Sequence, residues 1–198
     1  MQSMLLVLIG IGVTAGGSSG LPFDRARISR YSVDGLPRSI AIRQGPDVWL
    51  GYDLERARVF KVWRAPAGAA GLESSGFTTR SRGTTWYEDG SADSWRLRTA
   101  EGALPLTVRY LGCSQREDCF ELRWELRHES HAFTLSERVF LHIPAAGRVI
   151  REVKAGGLAA DESLLPPKES LRAWRLHTAD GRVVTDLRND RWYQCALP

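Results

Sequence analysis

Residues 104–127, LPLTVRYLGCSQREDCFELRWELR, restrict the fold of this chain more than any other stretch. In the second half Phe120, Leu122, Trp124 and Leu126 alternate with Glu121, Arg123, Glu125 and Arg127, the period of two that a strand with one buried face requires. On a helix, at about 100° per residue, the four apolar side chains would scatter around the axis and leave no buried face. Strand geometry therefore prevails, although Glu, Leu and Arg favour helix in isolation. Cys113 and Cys119 stand at the mouth of the intervening turn. Opposing them sets an antiparallel register that pairs Tyr110 with Leu122, Val108 with Trp124 and Leu106 with Leu126, all apolar. The other face then holds Leu111 beside Glu121 and Arg109 beside Arg123, a like-charge contact that diagonal Glu121 and Glu125 relieve.

The same alternation recurs along the chain. Residues 36–43 and 48–53 read as two strands joined by a turn at Gln44-Gly45-Pro46-Asp47, and residues 59–63 complete a three-strand meander after a second turn at 53–56. Residues 65–83 are rich in Ala, Gly, Ser and Thr without period and read as a long loop. Then come a strand at 84–87, a turn at Glu88-Asp89-Gly90-Ser91 and a strand around 95–98, with Asp-Gly as the hairpin signal. Beyond the 104–127 hairpin, residues 132–143 read as one long strand and 148–153 as another. Residues 156–170, with Gly-Gly and Pro166-Pro167, read as connecting loop. Residues 171–177 and 183–187 form the last clear hairpin, followed by a strand or docking segment at Trp192-Tyr193. About ten short strands without a long amphipathic helix imply an all-β fold, an antiparallel β-sandwich or a curved two-sheet, supersandwich-like domain.

The chain has 198 residues, enough for one substantial core. Its 27 basic residues against 23 acidic ones give a formal charge of +4, and the arginines are interleaved with acidic and apolar residues. A nucleic-acid interface needs a basic patch or stripe, so that class is excluded. At the N-terminus the apolar run 4–13 precedes small residues, with Val13-Thr14-Ala15 resembling an A-x-A cleavage site. It is too short for the ~20 residues that span a bilayer. Residues 1–20 thus read as a signal peptide with a short linker, and residues 21–198 as one β-sandwich domain in the periplasm or outside the cell. An oxidising compartment favours pairing of thiols, so a Cys113–Cys119 disulfide is expected, worth ~2 kcal/mol by chain entropy. Cys195 is left over and reads as a buried thiol.

Chemistry-bearing motifs are few. Residues 16–20 match G-x-S-x-G but lack the strand before and helix after that a nucleophile elbow needs. His128, His131, His142 and His177 are spread singly and imply no metal site. Carboxylates pair near turns, Asp53 with Glu55 and Glu88 with Asp89, while Glu117 and Asp118 sit in the cysteine loop. Turn chemistry explains them, and glycoside hydrolysis by paired carboxylates is the alternative. Tryptophan suits sugar stacking or partner anchoring. Trp124, Trp49 and Trp63 read as core. The candidate ligand-facing rim is Arg82, Trp86, Tyr87, Glu88 and Asp89, beside the long loop.

Leu36-Pro37-Arg38-Ser39-Ile40-Ala41, then Tyr52-Asp53, then residues 58–64 ending Val62-Trp63-Arg64, resemble a non-haem β-rich segment of large exported c-type cytochrome proteins of planctomycete-type bacteria, over about residues 35–65. The resemblance implies an exported β-rich module accessory to an envelope redox or carbohydrate system. No Cys-x-x-Cys-His occurs, so the chain cannot attach such a haem itself, and Ala57 stands where the larger family often has a cysteine. No cofactor is expected. The expectation is a non-catalytic module that binds carbohydrate or an envelope protein partner, with a carbohydrate-active enzyme as the alternative.

Overall fold

The computed structural model describes residues 28–29, 32–141 and 149–197. The signal-peptide reading, the G-x-S-x-G match, His142 and the boundary residues 142–148 lie outside them. The strands in chain order are β1 (Ile28–Ser29), β2 (Ser32–Val33), β3 (Ser39–Gln44), β4 (Val48–Asp53), β5 (Arg58–Arg64), β6 (Leu72–Ser75), β7 (Thr78–Ser81), β8 (Thr84–Glu88) and β9 (Arg96–Thr99). They continue with β10 (Gly102–Pro105), β11 (Thr107–Gln115), β12 (Cys119–His128), β13 (His131–Phe140), β14 (Ile150–Gly156) and β15 (Ser163–Leu165). A short helix α1 (Lys168–Ala173) precedes β16 (Arg175–His177), β17 (Val183–Val184) and β18 (Trp192–Ala196). No helix among the described residues is long and apolar enough to cross a membrane.

The all-β expectation holds. A five-stranded sheet, β1-β3-β4-β5-β8, faces a seven-stranded sheet, β11-β12-β13-β14-β18-β16-β17, and both are antiparallel throughout. Alternation supplies the shared core: Ile40, Ile42, Leu50, Tyr52 and Val62 from one sheet meet Leu122, Trp124, Leu126, Leu135 and Val153 from the other. The meander β3-β4-β5 forms as its turn signals require. The β18 strand is no loose docking segment, because it lies between β14 and β16 inside the larger sheet.

Three expectations are corrected. First, residues 65–83 are not a plain loop: β6 and β7 form a hairpin within them, joined to β2 by a parallel pairing. This hairpin covers the outer face of the five-stranded sheet, where Trp49 and Trp63 stack with centroids 6.1 Å apart beside Val33, Phe60 and Leu72. The indole of Trp63 donates to the Gly71 carbonyl at 2.7 Å. The five-stranded sheet is thus the middle of three layers, and β4 is buried along its whole length. The polar residues of β6 and β7 carry no period; packing on two tryptophans makes them strands.

Second, residues 156–173 are not all loop and strand. β15 pairs with β9, and after Pro166-Pro167 the residues 168–173 make one and a half turns of helix, closed by the Trp174 N–H on the Ser170 carbonyl at 2.7 Å. Proline preceding the first turn favours this start, and the strand of the expected 171–177 run begins only at Arg175.

Third, the opening hairpin forms, but two residues out of the expected register. Tyr110 stands opposite Trp124 and Val108 opposite Leu126. Leu111 is then a bulge, so Cys113 faces Leu122, not Cys119. Cys119 sits opposite Phe140 on the next strand, and no disulfide joins any of Cys113, Cys119 and Cys195. Past the bulge the slip is three residues, which turns Cys113 to the core side opposite Leu122. Up to it, a slip of two residues keeps every side chain on its own face, so the apolar alternation is blind to it. The charges are not: the observed register sets Arg109 against Glu125, 3.1 Å apart.

Candidate functional site

The stretch that carries the sequence-derived rim runs along β8, which pairs with β5 through a bulge. Lys61 faces Glu88, Val62 faces Tyr87 and Trp63 faces Thr85, leaving Trp86 as the extra residue. A bulge re-aims a side chain, and Trp86 is accordingly 39% exposed, with the Arg64 guanidinium 4.5 Å from its ring centre. Glu88 stays on the exposed side, 3.5 Å from Lys61. Tyr87 turns inward against the core, edge-on to Trp174 at 5.9 Å. Asp89 is buried, accepting from Arg58 Nη1 and from the Ser91 N–H, each at 2.8 Å. Burial alone would raise its pKa; the Ser91 hydrogen bonds and the Arg58 charge outweigh it and hold the carboxyl below the usual range. Arg82 is exposed in the β7–β8 turn, its N–H on the Gly71 carbonyl at 2.9 Å.

The five residues therefore do not converge. Tyr87, Glu88 and Asp89 border a groove of about 390 Å³ closed on its far side by Glu169 and Arg172 of α1, and neither Trp86 nor Arg82 lines it. Burial and the neighbouring Asp89 push the Tyr87 phenol up to about 12, so it serves as a neutral hydrogen-bonding group.

Of the carboxylates paired near turns, Asp53 and Asp89 are built into the scaffold, while Glu55 and Glu88 stay exposed. Asp53 accepts the backbone N–H groups of Glu55 and Arg56 at 3.0 and 3.1 Å and pairs with the Arg56 side chain at 2.8 Å, the turn role its position suggests. Arg58 then lies between Asp53, at 3.8 Å, and Asp89, at 2.8 Å. Among the described residues no three His, Cys, Asp or Glu side chains are grouped to hold a metal.

Sequence reasoning missed two features. One is a buried ionic cluster: Glu137 is fully buried, meets Arg151 at 2.7 Å and accepts the Tyr52 hydroxyl, while Arg151 also lies 4.4 Å over the Trp174 ring. A charged residue at an inward position of β13 is its only sequence signal. The other is a groove of about 660 Å³ between the outermost strand β11 and the start of β3 with the β4–β5 turn. Ile40, Leu54, Val108 and Tyr110 give it an apolar wall, and Arg38, Glu55 and Arg109 a polar rim. The rim charges are already matched, Arg38 with Glu55 at 3.6 Å and Arg109 with Glu125 at 3.1 Å. Two backbone irregularities border it: the bulge at Leu111 with Gly112 at φ +146°, and Arg38 in the left-handed region at φ +49°. Bulges and non-glycine left-handed residues concentrate beside functional sites. No protein-family model matches the chain, and neither does any curated protein or solved structure.

Proposed function

We propose that the chain is an exported, non-catalytic β-sandwich module that binds a neutral carbohydrate in the groove beside β11. The observation that carries this reading is the composition of that groove, an apolar wall with one aromatic ring, Tyr110, under a rim of charges that already neutralise each other. A sugar ring offers an apolar face to stack and hydroxyls to bond, and needs no net charge opposite it. Arg38 and Glu55 supply donors and acceptors at the rim. The apolar run at residues 4–13 supports export, and the resemblance over residues 35–65 supports an accessory role in a periplasmic cytochrome-linked system. Hydrolysis needs two carboxylates across a cleft, about 5–9 Å apart; Glu55 is the one carboxylate lining this groove, and Asp53 and Asp89 are tied to Arg58.

A glycan-array screen followed by calorimetric titration tests the reading. The expected result is binding of a neutral glycan that weakens at least about tenfold, ~1.4 kcal/mol, in both Tyr110→Ala and Arg38→Ala with unfolding midpoints close to that of the parent. A chain that binds no glycan yet captures an envelope protein would overturn the carbohydrate reading in favour of a protein partner.

A further inference from the structure

Two buried ionic groups meet from opposite sheets of the sandwich. In the smaller sheet Arg58 gives its Nη1 to Asp89 and to the Ser91 hydroxyl, both at 2.8 Å. In the larger, Arg151 holds Glu137. Both arginines border one cavity of about 10 Å³, as does Trp174, which follows α1. Arg58, Arg151 and Trp174 are 4, 5 and 2% exposed. Each carries a buried N–H, Nε, Nε and Nε1 in turn, that makes no hydrogen bond to the protein, and Arg58 Nε has only Asp53 Oδ2, 3.8 Å away. Buried donors nearly always find an acceptor, and Arg151 Nε and Trp174 Nε1, both without one on a single cavity, point to a common guest.

We propose that this cavity is a binding site for one water molecule, whose two lone pairs accept from Nε of Arg151 and Nε1 of Trp174. A volume of about 10 Å³ is about the least that holds one water molecule. Charge separates water from a small anion. Arg58 and Arg151 carry two positive charges, Asp53, Asp89 and Glu137 three negative ones, and Arg56, 2.8 Å from Asp53, restores the balance. A halide would enter as an uncompensated buried charge, whereas water is neutral and can turn its own protons toward the Cys195 sulfur on the same wall. The water fixes the Trp174 indole, against which Tyr87 of the α1 groove packs edge-on.

The test is a high-resolution crystal structure of the full chain, native and bromide-soaked, together with oxygen-17 relaxation dispersion of the protein in solution. The expected result is one density peak within about 2.7–3.2 Å of Arg151 Nε and Trp174 Nε1, no anomalous bromide signal there, and a count of slowly exchanging waters that falls by one in Trp174→Phe. An anomalous bromide peak in the cavity would make it an anion site and overturn the proposal. So would a cavity without density where the N–H groups of Arg151 Nε and Trp174 Nε1 have turned to protein acceptors, or an unchanged water count in a folded Trp174→Phe. Should that variant fail to fold, the native and bromide-soaked structures decide alone.

Discussion

The Tyr52 hydroxyl donates to Oε1 of Glu137, joining β4 to β13 through residues 85 apart in the chain. The bond crosses the sandwich interior and ends on a carboxylate with no solvent exposure. Arg151 neutralises that carboxylate at 2.7 Å and is itself 5% exposed. Burial, reinforced by the Glu137 charge, raises the Tyr52 phenol well above its ordinary value, so it is a donor at neutral pH.

Removing one member of this cluster should cost far more than an average core change. Glu137→Gln leaves the Arg151 guanidinium buried without its counter-charge, and is expected to lose about 3–5 kcal/mol. Tyr52→Phe removes one donor and keeps the ring, at about 1–3 kcal/mol. Urea unfolding of both variants and the double mutant measures the coupling; a near-neutral Glu137→Gln would contradict the assignment.

Alkaline pH should weaken the fold from about pH 9. Burial raises the Cys195 thiol from 9.0 to about 12, with Glu137 adding and Arg151 opposing, and the Tyr87 phenol rises from 10.0 to about 12. Both folded-state values lie above the unfolded ones, so their stabilisation is complete below the unfolded pKa and fades as pH climbs toward 12. For Cys195 the slope approaches ~1.4 kcal/mol per pH unit. Cys195→Ala should flatten the urea-midpoint profile between pH 9 and 10; a wild-type profile already flat there would argue against a buried, shifted thiol.

Acid acts through different groups. Asp34 is lowered because the Ser81 hydrogen bonds and Lys61 outweigh its burial, and Asp89 is lowered likewise by Ser91 and Arg58. Their contribution is present above the ordinary value of 3.8 and is lost as pH falls through the depressed folded values. Asp34→Asn should therefore cost stability at pH 6 and little at pH 2.5, which thermal unfolding at the two pH values would read.

Two glycines should respond oppositely to alanine. A Cβ on Gly71 would lie 2.0 Å from Trp49 Nε1, an indole that is 2% exposed and stacked on Trp63. Gly71→Ala is expected to destabilise by about 1–3 kcal/mol through overpacking. Gly90 has nothing within 4 Å of such a Cβ and no positive φ, so Gly90→Ala should shift the unfolding midpoint little.

Thiol titration checks the cysteine correction. Unreduced, denatured protein should show three reactive thiols, since no disulfide joins Cys113, Cys119 or Cys195. In the native state Cys113, partly exposed, should react first, ahead of buried Cys119 and Cys195. One reactive thiol after denaturation would restore the Cys113–Cys119 bridge.

Trp86 separates the two placements of a ligand. Its ring is exposed and braced by Arg64, so Trp86→Ala should leave the fold intact. If the groove beside β11 is where carbohydrate binds, titration should show Trp86→Ala close to wild type and Tyr110→Ala at least about tenfold weaker; the reverse pattern would return the site to the β8 rim.

Much of the fold was legible because alternation is a local property. The run from Phe120 to Arg127 identifies β12 as a strand with Trp124 inward, and the turn signals at 44–47 and 53–56 separate β3, β4 and β5 to within a residue or two without knowledge of any partner. The candidate rim was legible only in part. Alternation and a bulge along β8 send Tyr87 and Asp89 one way and Trp86 another, and a bulge depends on the neighbouring strand.

By itself, then, the sequence determined an all-β chain, its main strands and most of their inward faces, since a period of two is written in neighbouring residues. The tertiary structure decided the hairpin register, because over residues 107–110 a two-residue slip leaves every face unchanged and only cross-strand pairs such as Arg109 with Glu125 distinguish the alternatives. It also decided the third layer, where polar β6 and β7 become strands by covering Trp49 and Trp63. The grooves and the buried Tyr52–Glu137–Arg151 cluster belong to that level too. Their parts lie far apart in the chain, and only the packing of one sheet on another brings them together.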